Sequence, residues 1–100
     1  MKYDKVVIKT STNPKKKLMA VFSKDGESRT KTIHFGQALA PDYTKTKDKS
    51  QRSRYLRRHR ANENWNDPTS AGALSRWILW GDTTSRRENI NKFKKKFKLK

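Results

Sequence analysis

The chain contains no cysteine. That excludes a disulfide framework, a Cys-ligated zinc site and thiol catalysis, and it fits a protein kept inside a cell or enclosed in a particle. No apolar run approaches the ~18 residues that a membrane-spanning helix needs, so no membrane partner is expected. The opening MKYDKVVIKT lacks the long apolar core of a signal peptide. There is no internal repeat, no Gly-rich phosphate loop and no Ser-His-Asp order. The two histidines, His34 and His59, have no further ligands at a metal-binding spacing. His59 with Asn62 and Asn64 is only faintly like a metal-dependent nuclease, because the usual second histidine and strand-helix context are missing. No catalytic residue, cofactor, metal or small-molecule substrate is therefore expected, and an enzyme is the least favoured class.

Acidic residues are also scarce. Nine Asp and Glu stand against 26 Lys and Arg, a formal net charge of +17 in 100 residues. A compact domain with that charge repels itself. A polyanion would offset the repulsion, and nucleic acid is the commonest, since its phosphates attract Lys and Arg and binding releases counterions. The charge is spread out: residues 1–47 hold 11 basic and 4 acidic side chains, and residues 48–100 hold 15 and 5. A disordered basic tail would share the low apolar fraction. Ten aromatic residues argue instead for a folded body, because each buries a large area.

Local patterning divides the chain, read as one domain over 1–100, into a mainly β part (1–47) and a mainly α part (48–100). Lys5 to Thr10 is rich in β-branched residues. Lys17 to Ser23 alternates Leu18, Ala20 and Phe22 against Lys17, Met19, Val21 and Ser23. Asp25-Gly26 is a turn signal before a third run, Ser28 to Phe35. An antiparallel three-stranded meander follows, with Lys15, Lys16 and Lys17 near an exposed hairpin tip. Gly36 to Lys47 reads as a connection punctuated by Pro41.

Three helices are expected next. Asp48 and Gln51 stand at capping-box spacing before a helix from about Lys49 to Arg60. Arg52, Tyr55, Leu56 and His59 share one of its faces, and Arg54, Arg57 and Arg58 the opposite one. Pro68 suits the start of a second helix, Thr69 to Trp80, apolar over most of its circumference and so the buried centre of the fold. Ala71 and Gly72 allow close approach of a neighbour, and Gly81 ends the helix. The polar cluster Asn62, Glu63, Asn64, Asn66 and Asp67 reads as capping for the flanking helices. Ser85 and Glu88 open a third helix to about Phe97, with Ile90, Phe93 and Phe97 inward and Lys92, Lys95 and Lys96 outward. The fold class is α+β.

Several basic clusters on separate elements point to phosphate. The candidate DNA-binding residues are Lys15, Lys16 and Lys17; Arg52, Arg54, Arg57, Arg58 and Arg60; Arg76, Arg86 and Arg87; and Lys92, Lys94, Lys95 and Lys96. Guanidinium grips two phosphate oxygens at once. Base reading needs varied side chains, but the outer faces offer only Arg on the first helix and Lys with Asn89 on the third. Backbone binding to double-stranded DNA is the expectation, with RNA binding, a ribosome-associated role or an inner capsid component as alternatives. A homodimer is one route to gathering DNA. Trp77 and Trp80 read as core, and Trp65 lies in a turn. An exposed Trp65, Phe or Leu would wedge between base steps and bend DNA.

The stretch from His59 to Pro68 (HRANENWNDP), continued by TSAGALSRWILW to Trp80, resembles a family of small basic proteins of giant (nucleocytoplasmic large) DNA viruses, a domain of unknown function. The similarity reaches the upstream arginine helix and the closing Phe-Lys segment and is weaker in the first thirty residues. The resemblance implies a viral origin, a place in the virion interior and the viral factory, and coating or compaction of viral DNA without sequence preference. It carries over no catalytic residues.

Overall fold

A computed structural model describes residues 3–100. Three strands open it: β1 (Lys5–Thr10), β2 (Lys16–Ser23) and β3 (Thr30–Gln37), antiparallel in the order β1-β2-β3. Register places Val6 opposite Phe22 and Ala20 opposite Ile33. Because strand side chains alternate, one face of the sheet carries Val6, Ile8, Leu18, Ala20, Phe22, Ile33 and Phe35, all part of the core or packed against it. The other face holds Ser11 and His34, whose Oγ and Nδ1 lie 2.7 Å apart.

Where a bare connection was expected, Asp42 nucleates a short helix, α1 (Tyr43–Thr46); its Oδ1 accepts the Thr44 amide at 3.0 Å. Helix α2 (Lys49–His59) begins at Asp48, which accepts the Gln51 amide at 3.1 Å. Helix α4 (Arg86–Lys96) begins at Ser85, which accepts the Glu88 amide at 3.2 Å. Both are one-sided caps: the Gln51 side chain turns to Thr46 instead of returning, and the Ser85 amide donates to the Thr83 hydroxyl.

The apolar segment between them lies at the centre, as expected: Leu74, Ile78 and Leu79 are buried. Its form differs from the expected helix over Thr69 to Trp80. Ser70, not Pro68, sits at the start and caps the Ala73 amide at 3.1 Å. One α turn, α3 (Ala71–Leu74), then widens into a π turn, Ser75–Leu79, closed by the Trp80 amide on the Ser75 carbonyl at 2.9 Å. A π turn rotates successive side chains less than an α turn, so Trp77 and Trp80 swing onto different sides. Trp80 stacks on Tyr55 of α2, centroids 4.3 Å apart and planes 5° from parallel. Trp77 instead donates its Nε1–H to the Trp65 carbonyl at 2.8 Å. The polar cluster before Pro68 makes local turns and does not cap the helices: Asn64 accepts the Asn66 amide, and Asp67 accepts the Thr69 amide.

The chain after α4 returns to the sheet. Val6 donates to the Lys100 carbonyl at 3.1 Å, and the Lys100 amide to Asp4 at 2.9 Å. This covers part of the β1 edge, which would otherwise be open to pairing.

Asn89, expected beside the outward lysines, is fully buried. Its Nδ2 donates to the Ile78 and Thr83 carbonyls at 3.0 and 2.8 Å, and its Oδ1 accepts the Thr83 amide and hydroxyl. It satisfies the backbone where the π turn ends. Replacing Asn89 with Ala removes all four bonds and strands buried carbonyls, so about 2–4 kcal/mol of stability should be lost in urea unfolding.

Candidate nucleic-acid interface

Helix α2 buries Tyr55 and leaves arginines on its outer side. Arg54, Arg57, Arg58 and, just past its end, Arg60 are exposed. Each lacks a carboxylate within ion-pairing distance among the described residues. On α4, Arg87, Lys92, Lys95 and Lys96 are exposed and Lys94 is half-buried. Both helices end on cations, Arg57 and Arg58 in one and Lys94, Lys95 and Lys96 in the other. There the helix dipole favours positive charge, by a few tenths of a kcal/mol at an exposed site. That gain is too small to account for a whole outer face of cations.

Four of the expected phosphate ligands are tied into the fold. Lys17 is not at the hairpin tip: its side chain is 6% exposed, and its Nζ donates to Asp42 Oδ2. Arg86 donates to the same oxygen at 3.1 Å and to Thr44 Oγ1 at 3.0 Å. Arg52 Nε reaches the Trp80 and Gly81 carbonyls at 3.1 and 2.9 Å, and Nη2 pairs with Asp82 at 3.3 Å. Arg76 donates to the Trp80 carbonyl at 3.2 Å, with its guanidinium 4.2 Å from the Trp77 ring centre and 5.2 Å from that of Trp65. Arg52 and Arg76 thus complete the carbonyls that the central helix leaves open at its C-terminal end. Burial, and then the charge of Arg52, push the Arg76 pKa below its ordinary value. Lys15 is exposed and Lys16 half-buried at the sheet end.

The acidic residues explain the remaining imbalance. Asp42 and Asp48 cap helices, Asp67 holds a turn, and Asp4 accepts the Asp25 amide. Glu63 bridges His59 Nδ1 and Trp65 Nε1, each at 3.0 Å. Asp82 and Asp25 pair with Arg52 and Lys100. Carboxylates mostly serve backbone and internal contacts, so the surface cations go unanswered.

A cleft of about 560 Å³ separates the end of the sheet from α2, with Lys16 on one wall and Arg54 and Arg58 on the other. Tyr55 lies in its floor between His59 and Trp80. Burial first, and then the neighbouring Glu63 charge, raise the Tyr55 pKa above its ordinary value. Trp65 is pinned between Glu63, Arg76 and Trp77 and does not project as a wedge. Among the described residues no three His, Cys, Asp or Glu group as metal ligands, and no helix is long and apolar enough to cross a membrane.

Fold and surface together define a small basic α+β domain whose outer helix faces are cationic. The chain belongs to a family of unknown function, DUF5754, whose model matches residues 6–59. That match covers the sheet, α1 and α2, whereas the stretch carrying the giant-virus resemblance runs from His59 to Trp80 and lies almost wholly beyond it. No curated protein and no solved structure matches the chain.

Proposed function

We propose that this protein binds double-stranded DNA through its phosphates, without reading sequence, and coats, bends or compacts a viral genome as a nucleoid component. The observation that carries this reading is the row Arg54, Arg57 and Arg58. Three like charges at helical neighbour spacing destabilise a helix, and no carboxylate among the described residues offsets them. A surface that costs stability and serves no internal contact is accounted for by an external anion. Gathering DNA takes more than one contact surface; α2 and α4 supply two, and a homodimer would double them. The viral setting, in the virion interior and the viral factory, rests on the sequence resemblance of residues 59–80.

The body is 43 Å long. At ~3.4 Å per base pair that length lies along about 12 base pairs, room for roughly 6–10 phosphate contacts. The logarithm of affinity should then fall against the logarithm of salt with a slope of about −5 to −9. Fluorescence anisotropy with several unrelated duplexes between 50 and 200 mM salt measures it. Equal slopes and affinities across sequences are expected. A salt-independent complex would remove the phosphate reading, and tighter binding to structured RNA of equal length would transfer it to RNA.

A further inference from the structure

Two large apolar side chains are exposed among the described residues, Val7 at 40% and Leu39 at 100%. A single exposed leucine needs no explanation by itself. Leu39 is distinguished by its setting. It occupies the tip of the turn from Gln37 to Ala40, closed by the Ala40 amide on the Gln37 carbonyl at 3.1 Å. The turn is fastened to the neighbouring hairpin by the Ala38 amide on the Lys15 carbonyl at 3.0 Å. It enters through Gly36, at φ +78°, where an added Cβ would lie 2.6 Å from Leu79 Cδ1. The leucine is thus carried on a hydrogen-bonded tip seated against the core, not on a loose loop.

Register brings more to this end of the sheet. Lys16 pairs with Gln37 across the strands, so the β1–β2 turn with Pro14 and Lys15 lies beside the Leu39 turn. Pro14, Lys15, Leu39 and Pro41 are all exposed. Lys16 and Pro41 line the same cleft as Arg54 and Arg58. An apolar point therefore stands beside Lys15 and Lys16 of the neighbouring hairpin, at the end of the sheet that borders a cleft also lined by Arg54 and Arg58. A membrane or protein partner would be met by a broader apolar face; a single apolar point among phosphate ligands fits a base step of duplex DNA. Wedges of this kind, often Leu or Pro, open base steps from the minor groove and kink the duplex.

We infer that Leu39 is an apolar wedge that enters duplex DNA between two base pairs, while Lys15 and Lys16 hold the flanking phosphates. This rests on the DNA-binding reading above and assigns the bending to one side chain. The kink turns backbone binding into compaction.

The test uses the full chain and a duplex of about 20 base pairs, end-labelled for energy transfer and carrying 2-aminopurine at several positions. Binding by the wild type should raise the energy transfer and brighten 2-aminopurine as steps unstack. It should also favour a duplex with a central mismatch over the matched one by roughly tenfold, since a mismatched step is cheaper to open. Leu39→Ala should bind the matched duplex within about threefold, because the phosphate contacts remain, but lose the bend, the brightening and the mismatch preference. Leu39→Met should keep all three. A fully exposed side chain plays no part in folding, so both variants fold. Equal bending by wild type and Leu39→Ala overturns the wedge and leaves phosphate binding intact, as does wild-type binding with no bend. Failure of the wild type to retain any duplex overturns both readings. A change in sedimentation of Leu39→Ala without a change in bending would assign Leu39 to contact between copies and overturn the wedge.

Discussion

Replacing Arg54, Arg57 and Arg58 together with alanine should weaken duplex binding by two to three orders of magnitude near 0.1 M salt. Each phosphate contact contributes roughly tenfold there and about 0.9 to the salt slope, so three contacts give about 10²–10³ and a slope reduced by about 2.7. The loss should be the same for every sequence, because phosphate contacts carry no base information. Stability should move the other way. All three side chains are exposed and have no ion-pair partner among the described residues, alanine is the better helix former, and removing like neighbours relieves repulsion. The variant should melt at or above the wild-type temperature while binding far less. Anisotropy across a salt series and thermal melting by circular dichroism measure the two halves. A fall in melting temperature, or a loss confined to one sequence, contradicts the assignment. Arg52→Ala is the contrasting variant. Its guanidinium holds the Trp80 and Gly81 carbonyls, so it should lower stability without a selective effect on the salt slope.

The contrast between Arg54 and Arg52, two residues apart, shows what sequence reading could reach. Helical period places Arg52 with Tyr55 and Leu56 and Arg54 opposite them, and that separation is what the structure displays. Charge type alone joined them as phosphate ligands; the period already distinguished them. Asn89 carried a similar signal, since it stands four residues before Phe93 and eight before Phe97, on the inner stripe of α4. The strands and the caps Asp48 and Ser85 were legible because alternation and capping act between near neighbours. Lys17 was not. It stands in a run of three lysines, and its partner Asp42 is 25 residues away. Nothing local marks it as the member that turns inward. The π turn was hidden for a related reason: Trp77 and Trp80 are placed by Trp65 and Tyr55, at a distance no periodicity records. The fold's elements were thus written locally, whereas the division of cations into fixed and free was written in long-range pairs.

Asp42 concentrates those pairs, and its removal should have the largest effect on stability. The residue is 1% exposed. One oxygen accepts the Thr44 amide and hydroxyl and caps α1; the other accepts Lys17 from β2 and Arg86 from α4. Asp42→Ala leaves Lys17 buried without a counter-charge, which costs about 3–5 kcal/mol, and loses a cap worth about 1 kcal/mol. A domain of this length has about 5–15 kcal/mol in all, so the variant should lose a large share of its stability and melt at least ~15 °C lower. Duplex DNA should restore it, since a ligand bound by the folded state alone shifts the equilibrium toward that state. The same carboxylate sets an acid limit. Burial alone would raise its pKa, but hydrogen bonds from Lys17 and Thr44 and the charges of Lys17 and Arg86 outweigh burial, and the folded value lies below the ordinary 3.8. A depressed folded value means that Asp42 contributes its full stability above 3.8 and loses it as pH falls from there through the folded value. Asp42→Asn keeps an acceptor for the cap but has no proton to gain. Its stability should start lower at neutral pH and change less between pH 4 and pH 2 than that of the wild type. Urea unfolding at a series of pH values compares them directly. Parallel curves for the two proteins would show that the acid limit is set by carboxylates other than Asp42.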